Sequence, residues 1–342
     1  MESFRTLNFL LTAILCLLLG FSNAYGWQPV PVKEDPLVRM PGTQPAPENA
    51  SDIEAPTRCT NCHGGYNQAV EPSYNWQGSM MAQASRDFLF WACMTTAAQD
   101  SIWAVGTPNA GDICERCHFP KGWVEGRSDP PNASLMSGAD YDGVHCDVCH
   151  SMYDPFFKST SDGTREGADW SGYWDESNTS DTPSTDAATV TLSEDSRLAD
   201  TVKHFNGNPF FTNSTPAEGY RENGSGQMFL DDVRGKRASF ADASARHDML
   251  YSRYHKSKFM CSSCHDVSNP VLANLGQDGN TPLTTETDSA YSYFHVERTF
   301  SEFMLSDYGQ AGGAAGIGPF APNLYNTSRP GNVIAACQDC HM

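Results

Sequence analysis

Ten of the twelve cysteines in this chain stand in pairs, and each pair runs directly into a histidine. The units are Cys59-Thr-Asn-Cys62-His63, Cys114-Glu-Arg-Cys117-His118, Cys146-Asp-Val-Cys149-His150, Cys261-Ser-Ser-Cys264-His265 and Cys337-Gln-Asp-Cys340-His341. A lone Cys-x-x-Cys pair could hold zinc or cycle as a dithiol, but five with the same trailing histidine ask for a single chemistry. Two thiols three residues apart lie on one turn of backbone, where they can add to the two vinyl groups along one edge of a haem. The next residue then falls under the ring and offers its imidazole to the iron. The spacing predicts five covalent c-type haems, bound through those ten cysteines. Their proximal ligands are His63, His118, His150, His265 and His341.

Five histidines remain: His145, His204, His247, His255 and His295. That number would give every iron a second imidazole, and six-coordinate irons exchange electrons and little else. His145 directly precedes Cys146, so it should serve a neighbouring haem rather than its own. His255, shortly before Cys261, is similarly placed. His247 and His255 would share a helical face with Tyr251 between them. His295 has an apolar setting in Tyr293-Phe294-His295-Val296, whereas His204 is embedded in polar sequence. Methionine is the competing axial ligand. Met80 and Met81 open a segment in which Met80, Ala84, Phe88, Trp91 and Thr95 recur at helical spacing, with Ser79 as its cap. Met at such spacing also fills cores, and Cys93, the unpaired cysteine on this segment, reads as a buried inert thiol.

These ligands need positioning elements. Residues 1–24 have the form of a signal peptide, with an apolar run from Leu7 to Phe21 and small residues before a cut ahead of Tyr25. Cys16 would be discarded with it. Residues 25–55 are Pro-rich and read as an extended lead-in. Residues 56–152 hold three motifs as a three-haem module. Residues 153–240 form an acidic, loop-rich insertion, and residues 241–342 hold two motifs as a two-haem module. Ser159 to Asp200 reads as surface loop, and the acidic cluster Glu194 to Asp200 as a solvated face more readily than a calcium site. Thr299-Phe300-Ser301-Glu302 is a capping box that opens a helix, and Gly312 to Gly318 a flexible connection. The expected class is mostly α with extensive irregular loops.

Composition narrows the partners. Lys and Arg number 22 against 41 Asp and Glu, a formal charge of −19. Such a surface repels nucleic acid and anionic lipid. It suits redox partners with basic docking faces, in salt-sensitive association. No segment beyond the leader reads as membrane-spanning. The expected location is the periplasm or the cell surface.

Several strings resemble multihaem c-type cytochromes, the group that includes the tetrahaem electron carrier of hydroxylamine oxidation. They are Trp76-Gln77-Gly78-Ser79-Met80-Met81 with Arg86-Asp87, Gly143-Val144-His145-Cys146, Cys261 to Val267, and Glu297-Arg298-Thr299-Phe300-Ser301-Glu302. The resemblance covers most of the chain from residue 56 except 160–240. It implies a multihaem cytochrome c fold organised around stacked covalent haems, and electron transfer outside the cytoplasm. The chain departs from that group in having five motifs and in placing Met342 one residue after the last ligand. Haem 5 is then either an exposed electron port, completed by another protein such as a second cytochrome or another copy, or followed by further chain. Two functions compete. One is an electron carrier with mainly bis-His haems. The other is a multihaem oxidoreductase reducing a nitrogen or sulfur oxyanion at one open haem, with His204 as the histidine that would not ligate. The Cys-x-x-Cys-Lys motif usual in pentahaem nitrite reductases is absent.

Overall fold

Each motif has a short helix, which holds both cysteines in four of them and begins one residue after Cys337 in the last. The five are Pro56–His63, Gly111–His118, Cys146–Ser151, Lys258–His265 and Gln338–His341. Four of them end on the motif histidine. Helical spacing sets the two thiols of a pair on one face, with the histidine one residue on. The helix starts follow from local chemistry. Pro56 supplies a preset φ and lacks the N–H that a first turn would leave unpaired. Ser257 accepts the Phe259 amide at 3.1 Å and caps the fourth motif helix.

This computed structural model describes residues 30–35, 38–40, 42–45, 53–154, 193–203, 209, 211–212, 215–216, 226–232, 235–239, 246–269, 294–310, 312–327 and 329–341. The chain divides into Met1–Pro31 and Val32–Met342, and the second unit carries all five motifs. Helix dominates the described residues. The strands there are short and run in separate pairs: Phe211–Thr212 with Thr215–Pro216, Lys236–Ala238 with Met249–Tyr251, Val267–Asn269 with Phe294–Glu297, and Ala314–Ala315 with Val333–Ile334. No helix among the described residues is long and apolar enough to cross a membrane. The signal peptide, His204 and residues 159–192 of the expected surface loop lie outside the described residues, and residues 193–199 of that loop are helix instead.

The apolar core lies beside the motif helices. Ile53, Trp123, Val124, Val148, Met152, Met228 and Leu230 pack around Cys117. They join the second and third motifs to the last part of the 153–240 stretch. A neighbouring cluster of Phe90, Met94, Phe119, Ala133 and Met136 fixes the long helix Phe88–Val105 against the second motif. Burying a side chain of this size contributes about 1.5–3 kcal/mol. Residues of the Pro-rich stretch join the core as well: Val38, Met40 and Ile53 are buried.

Several local expectations change. The segment from Met80 to Thr95 is two helices, Met80–Gln83 and Phe88–Val105. Ser79 does cap the first, accepting the Ala82 amide at 3.2 Å. Asp87 starts the second by accepting the Leu89 amide at 2.9 Å, while Ser85 donates to the Tyr141 carbonyl at 2.6 Å. Those side-chain bonds hold the intervening residues out of a continuous helix. Cys93 is exposed, not buried. His247 and His255 share no helix, because Met249–Tyr251 pairs as a strand and Arg253–Lys256 is a 3-10 turn. Thr299 is the first residue of its helix rather than the cap: Glu297 accepts the Thr299 amide at 2.9 Å and no cap bond forms at Arg298. Within Gly312 to Gly318, Ala314 and Ala315 form a strand pair with Ile334 and Val333.

Candidate haem-binding sites

The motif helices adjoin through their thiols. Cys59 interacts with Cys146, Cys117 with Cys264, and Cys261 with Cys337. The first motif thus meets the third, the second the fourth, and the fourth the fifth. Their sequence separations give no hint of this pairing, which is made by the folding of the whole unit.

The motif histidines differ in what backs them. His118 Nδ1 lies 2.7 Å from the carbonyl of Ala84 and His150 Nδ1 lies 2.7 Å from that of Arg237. A proton on Nδ1 satisfies each contact and leaves Nε2 with its lone pair, the tautomer that a metal ligand needs. Burial lowers both pKa values against these carbonyl bonds. Phe90 stacks on His118 at 3.9 Å and 13°, which fixes the plane of the imidazole. His265 is exposed and has a carboxylate instead, with Nδ1 3.9 Å from Glu297 Oε1. That contact raises the pKa of His265, the neighbouring Glu297 carboxylate being the largest cause. His63 and His341 are exposed at the ends of their helices.

His145 is the most constrained of the remaining histidines. It is 1 % exposed, and neither Nδ1 nor Nε2 has a partner. Burial without a hydrogen bond pushes its pKa down to about 4 and costs about 1–3 kcal/mol per unmet polar group. A fold that holds an imidazole this way has reserved it for something. The cradle around it is built by two of the strings singled out in the sequence. Trp76 donates to the Val144 carbonyl at 2.8 Å, and the Val144 amide donates to the Met81 carbonyl at 2.9 Å. Gly143 has φ 63°, and a Cβ there would overlap the Met81 carbonyl oxygen, so only glycine allows the approach.

His255 reaches from the second half of the chain into the third motif. Its Nε2 lies 2.8 Å from the Cys149 carbonyl, its ring stacks on His150 at 5.9 Å and 8°, and Nδ1 is buried without a partner. Burial, together with neighbouring His150, lowers its pKa to about 3. His247 is exposed with Nδ1 3.1 Å from the Asp248 carbonyl. His295 lies on the strand Phe294–Glu297 with its backbone opposite Ser268. Met80 is exposed and Met81 half-buried.

Charged residues outside the candidate ligands hold the motifs in place. Arg237, fully buried, pairs with Asp195 at 2.8 Å and with Asp231, and so anchors the carbonyl that His150 uses. This contradicts the solvated-face reading for Asp195, which is buried. Glu194 and Asp232 share Arg197 at 2.7 and 2.8 Å. In the second motif, Glu115 accepts the Ala133 amide, and burial pushes its carboxyl up to about 9. Its neighbour Arg116 lies 4.5 Å over Trp123 and 3.6 Å from Asp112. In the third motif, Asp147 pairs with Lys236 and accepts the Glu54 amide at 2.5 Å. In the fifth, Asp339 accepts from Arg329 at 2.6 Å and from the amides of Ala335 and Ala336 at 2.8 Å each. The one visible signal was a charged residue between the cysteines of each of these motifs.

The residues present fit c-type haem. Four thiol pairs sit on helices, Nδ1 of His118 and of His150 faces a carbonyl as a ligating imidazole requires, and His145 and His255 carry buried nitrogens with no partner. Cys59, Cys62, Cys114, Cys117, Cys146, Cys149, Cys261, Cys264, Cys337 and Cys340 would hold the groups. No protein family, curated protein or solved structure matches this chain.

Proposed function

We propose that this chain is an exported pentahaem c-type cytochrome that carries single electrons among closely spaced, mainly bis-His haems. The observation that carries the reading is the burial of His145 beside Cys146 with both ring nitrogens unpartnered, in a chain with five Cys-x-x-Cys-His helices. When bound, each haem supplies an iron that alternates between ferric and ferrous, a one-electron step. The protein's part is to attach, orient and cap. The thiol contacts between first and third, second and fourth, and fourth and fifth motifs bring the attachment points together in pairs. Carbonyl partners at Ala84 and Arg237 fix the imidazole tautomers, and the buried core keeps them still. The acidic surface favours basic partners in transient complexes.

Mass spectrometry of the exported protein tests attachment: the reading requires five haem additions on the motif peptides. Low-temperature electron paramagnetic resonance of the oxidised form tests the coordination. Purely low-spin signals support the carrier. A high-spin signal equivalent to one haem, altered by nitrite, replaces it with the oxyanion reductase.

A further inference from the structure

Three proximal histidines have a group within reach of Nδ1 in this structure, and one of those groups differs in kind. His118 and His150 meet neutral carbonyls at 2.7 Å, whereas His265 meets the carboxylate of Glu297 at 3.9 Å. The placement of Glu297 is built. The strand Val267–Asn269 leaves the fourth motif helix two residues after His265 and pairs antiparallel with Phe294–Glu297, setting Val267 opposite Glu297. Glu297 Oε1 accepts the Thr299 amide at 2.9 Å, which fixes the side chain, and Oε2 is buried without a partner. The adjacent Arg298 pairs with Asp266 at 3.1 Å.

We infer that Glu297 is a positioning residue for His265 and lowers the reduction potential of the iron that His265 would ligate. This rests on reading Cys261, Cys264 and His265 as a haem-attachment motif. A carboxylate behind a ligating imidazole increases its donor strength, and its charge favours ferric over ferrous iron. A separation of 3.9 Å is ion-pair range rather than a direct hydrogen bond, so the effect is carried by charge. Partial exposure of both groups screens it. Asp87 and Asp147 act on His118 and His150 through space only, with a neutral carbonyl at Nδ1, so the fourth site differs from the second and third in having its carboxylate at Nδ1 itself.

The test is a spectroelectrochemical titration of the haem-loaded protein with Glu297→Gln and Glu297→Asp, after haem at the Cys261–Cys264 peptide has been verified by mass. Glu297→Gln should move one of five midpoints upward, raising the ferrous-to-ferric ratio of that haem severalfold at a fixed potential. The other four should stay in place. Glu297→Asp, which keeps the charge, should stay close to the parent protein. Five unchanged midpoints in Glu297→Gln, or an equal shift in Glu297→Asp, overturn the inference while leaving the cytochrome reading intact. A peptide without haem overturns both.

Discussion

Trp76 donates its indole N–H to the carbonyl of Val144 across 2.8 Å, and so fixes the residue directly before His145. A side chain on one short helix thereby governs the backbone that presents His145, the proposed sixth ligand. The same few residues of chain contain Gly143, Val144 and the amide bond to the Met81 carbonyl. Ligand placement and chain packing are one structure here, which makes the following outcomes testable together.

Gly143→Ala should destabilise the protein strongly. The new Cβ would have to occupy the space of the Met81 carbonyl oxygen at a positive φ, a combination that costs about 2–4 kcal/mol. Urea unfolding should show a lower midpoint at an unchanged slope. An unchanged midpoint would mean that the approach of the two segments is looser than described.

His145→Ala should turn one low-spin haem of the oxidised protein high-spin, read by electron paramagnetic resonance. Because neither nitrogen bonds to protein, the change should remove no protein hydrogen bond. A spectrum identical to the parent would strike His145 from the ligands.

Stability should also depend on pH through Glu115. Burial holds its carboxyl up at about 9, whereas an unfolded glutamate titrates near 4.3. Between those values the folded state binds the proton that the unfolded state has lost, so unfolding free energy falls as pH rises. Glu115→Gln removes that titration. It should match the parent near pH 4 and exceed it by about 3–5 kcal/mol at pH 8. Parallel stability-versus-pH curves for the two proteins would exclude this assignment.

Asp339→Ala should loosen the last motif more than the rest. It removes the carboxylate shared by Arg329 and the amides of Ala335 and Ala336, and taking one partner from a buried ion pair costs about 3 kcal/mol. Hydrogen exchange should rise in residues 329–341 ahead of the second and third motifs. Uniform exchange across the chain would argue that this segment is no separate unit of stability.

The helical setting of the motifs was legible because its signals are local. A Cys-x-x-Cys-His unit needs only one turn of helix to align its groups, and four of the five units lie wholly on one, the last beginning a residue ahead of its helix. Ser79 as a cap was readable for the same reason. Local signals also misled. The period from Met80 to Thr95 looked continuous, but Asp87 and Ser85 spend their side chains on breaking it. The run from His247 to His255 held helical spacing, and a strand pairing with Lys236–Ala238 overrode it.

The sequence alone determined which residues could attach and ligate, since spacing along one turn is a property of a few adjacent residues. Only the tertiary structure decided what stands behind each imidazole. His118 finds its carbonyl 34 residues away and His150 finds its own 87 residues away, while a strand pairing delivers the carboxylate of Glu297 to His265. A backbone carbonyl has no residue identity to read, and contacts across such distances exist only once the core has closed.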